Sequence, residues 1–276
     1  MNDSLDFSEP NRAAPTARIG VFDSGVGGLS ILRALHRRLP GCSMLYVGDV
    51  AHAPYGNRPA GEVIARSMKM VESLADRHCT MIVVACNTAT VLAIEALRAR
   101  WPKRVFVGVE PGVKPAVARS RARRIAVMTT AATAASERLR HLIARHAEDA
   151  LVHVQPCPGL ADAIERGVLG GPALVDVLQP HCDAIRAANV DTVVLGCTHY
   201  PFVEDAIRKL LGEQVALIDT AAAIAERAAA LWEQTVPVFD PEPRVHVFST
   251  GATDTMQQLL TRCQGLEQTA VEPLAV

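Results

Sequence analysis

The chain has 276 residues, 49% of them apolar and 4% aromatic, with 28 basic against 29 acidic side chains and a net charge of −1. That length gives room for one large domain or two small ones with a sizeable core. The balanced charge argues against direct binding of nucleic acid or of a membrane surface through bulk electrostatics, and the scarcity of aromatic side chains argues against base-stacking platforms.

Residues 1–17, rich in Ser, Asn, Pro and Asp, read as a disordered extension without the apolar stretch of a secretory signal. From Arg18 the pattern alternates. Residues 19–22 form a short buried strand, and Asp23-Ser24-Gly25-Val26-Gly27-Gly28 a tight turn. Residues 29–39 carry apolar Leu29, Leu32, Leu35 and Leu39 at helical spacing, and Pro40-Gly41 stops them. A strand over 44–47, a loop over 48–59 and a helix over about 60–77 follow. Next come a strand over 80–85, a helix over about 88–100 and a strand over 105–109. Strands alternating with helices predict a parallel sheet covered on both faces. No apolar run approaches the ~20 residues that a membrane helix needs.

The pattern then repeats. Residues 124–130 lie on residues 18–24 without a gap, at an offset of 106. A strand over 151–154, a Pro-rich loop over 155–159, helices over about 160–166 and 172–188, and a strand over 191–195 complete the second half. The tail adds an Ala-rich helix near 220–234 and a strand over 244–248, which the pattern alone assigns to neither half.

Two cysteines stand at equivalent places. Cys86 follows the strand of the first half in Ala85-Cys86-Asn87-Thr88, and Cys197 follows that of the second in Gly196-Cys197-Thr198-His199, 111 positions on. Ligands of open α/β sheets bind beyond the carboxyl ends of strands, and a following helix N-terminus would favour thiolate, below the ordinary ~8.5. Of the other five cysteines, Cys42, Cys79, Cys182 and Cys263 have no polar motif and read as buried apolar residues. Cys157, in the Pro-rich loop, stays open. All seven are expected to be reduced thiols of a cytoplasmic protein. No Cys-x-x-Cys pair exists, so no metal is expected, and a single-Cys hydrolase leaves the duplication unexplained.

Paired thiols suit the inversion of a carbon acid, in which one base takes the Cα proton from one face and the other acid delivers a proton to the opposite face. A Cα–H is far less acidic than a thiol, and each unit of mismatch costs about 1.36 kcal/mol, so the site must stabilise the carbanion-like state and exclude water. The Gly-rich turn lacks the Walker and dinucleotide spacings. It reads as a holder for Asp23 and Ser24 or as a plain helix-capping turn. The loop holding Tyr55 reads as a surface turn, and residues 110–115 as a connector. Lys69, Lys103, Lys114 and Lys209 lie on helices or connectors rather than at strand ends. No lysine is placed to hold pyridoxal phosphate, and no cofactor is expected.

Gly20-Val21-Phe22-Asp23-Ser24-Gly25, Tyr46-Val47-Gly48-Asp49, Pro54-Tyr55-Gly56, Ala85-Cys86-Asn87-Thr88-Ala89, Gly108-Val109-Glu110-Pro111, Lys114-Pro115, Gly196-Cys197-Thr198-His199-Tyr200-Pro201 and Ile218-Asp219, in this order, resemble the cofactor-independent glutamate racemases of the aspartate/glutamate racemase superfamily. Thr-His after the second cysteine resembles the glutamate branch rather than the aspartate one. The resemblance implies an α/β fold of two pseudo-symmetric three-layer domains with mainly parallel sheets and the active site between them. The first domain would comprise 18–110 with 221–276, and the second 111–220. It further implies Cys86 as the base toward D-glutamate and Cys197 as the base toward L-glutamate. Asp23 would assist the first thiol, and His199 the second with Glu165 nearby. Asp23, Ser24, Tyr55, Gly56, Asn87, Thr88, Thr198 and His199 would hold the substrate. A homodimer follows by analogy. Two stretches depart from the family pattern: 129–133, where Gly-Thr is usual, and 159–162, next to Glu165.

The reading is therefore a cytoplasmic isomerase that supplies D-glutamate for peptidoglycan synthesis. Its rivals are an aspartate racemase, an arylmalonate-type decarboxylase that needs one thiol, and a regulatory binding protein of the gyrase-inhibitor type whose extension over 1–17 makes the contact.

Overall fold

The computed structural model describes residues 17–235 and 241–276. The extension read over 1–17 lies, but for Ala17, outside the described residues. The first half runs β1 (Arg18–Asp23), α1 (Leu29–Arg38), β2 (Met44–Gly48), α2 (Ala60–Asp76), β3 (Cys79–Val84), α3 (Asn87–Arg100) and β4 (Val105–Gly108). After α4 (Val113–Arg119) come β5 (Arg124–Thr129), α5 (Ala131–Ala134), α6 (Glu137–His146), β6 (Leu151–Pro156), α7 (Leu160–Glu165), α8 (Gly171–Ala187), β7 (Thr192–Leu195), α9 (Glu204–Leu211) and β8 (Ala216–Ile218). The chain ends with α10 (Ala221–Thr235), β9 (Val245–Ser249), α11 (Asp254–Leu260) and β10 (Val271–Pro273).

The central strands are apolar runs rather than alternating patterns because both faces of a parallel sheet are covered by helices. Every residue of β2 and β7 is buried. The helices are one-sided. In α1, Leu29, Leu32 and Leu35 face the sheet, while His36, Arg37 and Arg38 occupy the last turn, where the helix dipole favours positive charge.

All strand pairs are parallel. The first sheet has the order β10-β9-β2-β1-β3-β4 and the second β6-β5-β7-β8. The run β2-β1-β3-β4 of the first sheet and the whole of the second share one order, so β1, β2, β3 and β4 correspond to β5, β6, β7 and β8. This is the pseudo-symmetry expected from the repeat. The tail departs from it: β9 pairs with β2 and β10 with β9, extending the first sheet. One buried apolar cluster runs through both halves, joining Val21 and Val83 of the first sheet to Ala126 and Leu195 of the second and to Trp232 of α10. Among the described residues no helix is long and apolar enough to cross a membrane.

Candidate active site

In each half the central strand and its later neighbour, β1 beside β3 and β5 beside β7, flank the place where the strand order reverses. A crevice opens there beyond the carboxyl ends of the strands. β1 delivers Asp23 and Ser24, β3 delivers Cys86 and Asn87, β5 delivers Thr130, and β7 delivers Cys197, Thr198 and His199. Ser24, Gly56, Cys86, Asn87, Thr88, Thr130, Cys197, Thr198 and His199 line one cavity between the halves. It is closed down to about 10 Å³, room for about one water. Asn57 of the first half donates to both carboxylate oxygens of Asp162 in the second, at 3.3 and 3.2 Å, across the neighbouring crevice.

Cys86 caps α3 from an extended backbone (φ −121°, ψ 121°), and its sulfur accepts the Ala89 N–H at 3.4 Å. Its thiol lies 3.7 Å from the Ser24 hydroxyl. The expectation that the helix N-terminus makes this thiol acidic is corrected. Burial pushes it well above its ordinary value, the Asp23 charge adds to that, and the Ala89 N–H and Ser24 hydroxyl only partly offset both. Asp23 neighbours Cys86 through its charge rather than through a hydrogen bond. Its Oδ2 accepts the Gly25 and Gly28 N–H groups at 3.2 and 3.0 Å, and its Oδ1 accepts the Thr198 hydroxyl at 3.4 Å. Burial raises its own pKa, helped by Glu165 and opposed by His199.

The second thiol has a different partner. Gly196 precedes it because β7 passes close to β5 there: a Cβ would lie 2.7 Å from the Met128 carbonyl oxygen. Cys197 Sγ is 3.6 Å from His199 Nδ1, and His199 Nε2 is 2.6 Å from Glu165 Oε1. That carboxylate oxygen also accepts the Val26 N–H at 2.9 Å, and a Cβ on Gly25 would overlap it. Burial alone would lower the His199 pKa, but Cys197 and Glu165 together raise it well above 6.5. The imidazole thus stands between the two groups, its Nδ1 edge toward the sulfur and its Nε2 edge toward the carboxylate. Despite the departure at 159–162, Glu165 stands on this side of the cleft and reaches Cys197 through His199.

Tyr55 differs from the expectation of a substrate-holding side chain. It is fully buried, and its hydroxyl donates to Asp49 Oδ2 at 2.7 Å. Pro54 and Gly56 beside it line the cavity instead. Asp49 is the anchor of this loop. It takes two hydrogen bonds from Arg66 (2.9 and 2.8 Å) and one from the Thr250 hydroxyl (2.8 Å), so the tail helps to hold the loop. Sequence reasoning singled out neither Asp49 nor Arg66 for a role.

It also missed Thr130, which lines the cavity and shares a 3.0 Å hydrogen bond with Thr88. The signal was present: in the repeat, Thr130 falls on Ser24. Cys157, left open by the sequence, is buried in the crevice beside the cleft. Cys42, Cys79, Cys182 and Cys263 are buried as well, and burial pushes Cys79 up to about 12 and Cys182 up to about 11. Among the described residues no group of three or more His, Cys, Asp or Glu side chains is placed to hold a metal ion.

The family model for Asp/Glu/hydantoin racemases matches residues 20–228. A glutamate racemase of Ectopseudomonas mendocina is 42% identical over 245 residues, covering 88% of this chain and 93% of that one. A glutamate racemase isoform from Bacillus anthracis superposes with a TM-score of 0.85 at 30% identity, covering 95% of this chain and 99% of that one. The Escherichia coli glutamate racemase, solved with L-glutamate and the activator UDP-MurNAc-ala, superposes with a TM-score of 0.84 at 29% identity over the same shares.

Proposed function

The chain belongs to the Asp/Glu/hydantoin racemase family, and we propose that it interconverts L- and D-glutamate by passing protons through Cys86 and Cys197. It is an amino-acid racemase, an isomerase, and its relatives are glutamate racemases. The observation that carries the two-thiol reading is that equivalent strand ends bring both sulfurs to the wall of one narrow cavity.

Glutamate enters when the halves part and is enclosed when they close, which removes water and strengthens every electrostatic contact. The substrate ammonium brings positive charge beside the buried Cys86 and Asp23, opposing the burial that keeps the thiol protonated. One thiolate takes the Cα proton and becomes a thiol. The opposite thiol gives its proton to the other face and becomes a thiolate. No net proton is consumed, and the reverse reaction exchanges the roles. Asp23 tunes the charge at Cys86. Glu165 holds His199 protonated so that it supplies and reclaims the Cys197 proton. Ser24, Asn87, Thr88 and Thr198, with the backbone at Tyr55 and Gly56, present donors to the carboxylates and to the developing negative charge.

In the same reading the two sheets are the cores of two domains, 18–110 with 221–276 and 111–220. The protein acts in the cytoplasm as a cofactor-free homodimer, and its D-glutamate supplies peptidoglycan synthesis. The test is EDTA-treated, pyridoxal-free protein incubated with L-glutamate. D-glutamate is expected to accumulate until the enantiomers are equal, with aspartate far slower. Conversion of aspartate alone replaces the substrate, and silence on both returns the weight to the binding-protein reading.

Glu165→Gln tests the second side. Cys197 and Glu165 both raise the His199 pKa, and the substitution removes the Glu165 charge, so the imidazole loses its proton at lower pH. The expected result is a kcat lowered by about 10²-fold, with the alkaline limb of the pH–rate profile moved to lower pH. An unchanged profile would assign Glu165 a purely structural part.

A further inference from the structure

Away from the cleft, a groove of about 680 Å³ opens between α1, the start of α10 and the turn after α11. Arg33 and Arg37 reach it from α1, and Arg262 from the opposite wall. We propose that this groove binds a small multivalent oxyanion, held by Arg33, Arg37 and Arg262.

None of the three guanidiniums makes a side-chain hydrogen bond or ion pair among the described residues. The neighbouring Arg38, on the same helix, is tied to Glu226 and Glu233. Arg33 and Arg37 are four positions apart, so their Cβ atoms lie about 5–6 Å from one another and the like charges repel. A shared anion converts that repulsion into two charge-assisted hydrogen-bonding arms. The one carboxylate in the lining, Asp219, already accepts the Ala221 N–H at 3.1 Å and caps α10. His36, also in the lining, has a buried Nδ1 with no partner, an orphan atom of the kind that marks an absent water or ion. Three guanidiniums against one carboxylate form a local concentration of charge in a chain whose net charge is −1.

The position is not remote. Ser30 in the groove floor has its hydroxyl 3.1 Å from the carbonyl oxygen of Thr198, the residue between Cys197 and His199. Asp219 and Ala221 lie where the chain crosses from β8 back to the first sheet.

Guanidiniums recognise phosphoryl and carboxylate groups alike, so the test separates the two sources. Inorganic pyrophosphate and citrate are each titrated calorimetrically into the full chain at constant ionic strength. Saturable binding of at least one is expected, weakened tenfold or more in R33Q/R37Q and in R262Q. The exposed R119Q/R121Q variant changes net charge equally and is expected to bind as wild type. Pyrophosphate binding alone assigns a phosphate ligand, and citrate binding alone a polycarboxylate. Absence of saturable binding by either, loss of less than tenfold in the groove variants, or equal loss in R119Q/R121Q would overturn the proposal. Circular dichroism of each variant separates lost binding from lost fold.

Discussion

Cys86→Ser and Cys197→Ser are each expected to lower glutamate racemisation by on the order of 10³-fold or more, with the fold unchanged. Serine keeps the size of cysteine, and both positions are buried at strand ends, so packing is preserved. The hydroxyl is far less acidic than the thiol, so at neutral pH it neither supplies the anion that takes the Cα proton nor gives up its own proton to the other face. The two losses are also expected to be non-additive, because each thiol is useless without the other. The contexts differ: Cys86 stands beside Ser24 and the Asp23 charge, Cys197 beside the His199–Glu165 pair. Replacement of His199 should therefore impair the direction in which Cys197 is the base differently from the direction in which Cys86 is. Rates from pure L- and pure D-glutamate measure this. A single serine variant racemising near the wild-type rate would remove the two-base account.

Arg66→Met is expected to cost about 3 kcal/mol of folding stability. Asp49 is completely buried and Arg66 nearly so, and the guanidinium gives Asp49 two hydrogen bonds. Methionine fills much of the volume but leaves the carboxylate charged inside the protein without a guanidinium, supported by the Tyr55 and Thr250 hydroxyls and by His52 Nδ1 at 3.2 Å. Burial alone would raise the Asp49 pKa, but Arg66, Tyr55 and Thr250 hold it below the ordinary carboxylate range. A depressed folded pKa gives stability that is fully present above the unfolded value of ~3.9 and lost as pH falls through the folded one. The deficit of the variant is therefore largest near neutral pH and shrinks below about pH 4. Denaturant titration at pH 7 and pH 3.5 measures both. Because Asp49, which holds the Tyr55 hydroxyl, loses its main anchor, the cavity wall at Pro54 and Gly56 is held less firmly, and the KM for glutamate is expected to rise. A full-strength deficit at pH 3.5 would show that packing, not charge pairing, sets the cost.

Much of this was legible in the chain because parallel strands buried on both faces leave continuous apolar runs. The residues that end those runs, Asp23-Ser24, Cys86-Asn87 and Cys197-Thr198, are where such sheets expose chemistry. The repeat carried more than was read from it: the offset that pairs Arg18 with Arg124 also pairs Ser24 with Thr130. What escaped depends on contacts distant in sequence. β8 and β10 span three residues each, too few to show a period, and the place of β9 beside β2 is set by tertiary pairing. The short α5 has no amphipathic face to detect. The α6 segment did carry signals, a Ser136 cap and Leu139, Leu142 and Ile143 at helical spacing. Tyr55 in a polar loop reads as part of a surface turn, whereas its side chain is buried because Asp49 holds its hydroxyl. The helix N-terminus beside Cys86 is local and readable, whereas the burial that raises its pKa is set by groups distant in sequence.

The central claim, two opposed sulfurs, one thiolate and one thiol, that exchange roles in each turnover, is tested most directly by the early phase of the reaction in D2O. Pure L-glutamate and then pure D-glutamate are converted by a few per cent, and the Cα isotope is measured separately in product and in recovered substrate. The account predicts deuterium in essentially all product and almost none in recovered substrate, from either direction, because the acid that delivers the proton is not the base that removed it. Protium retained in the product, or deuterium returning to the unconverted enantiomer as fast as product forms, would mean that one group serves both faces and would contradict it.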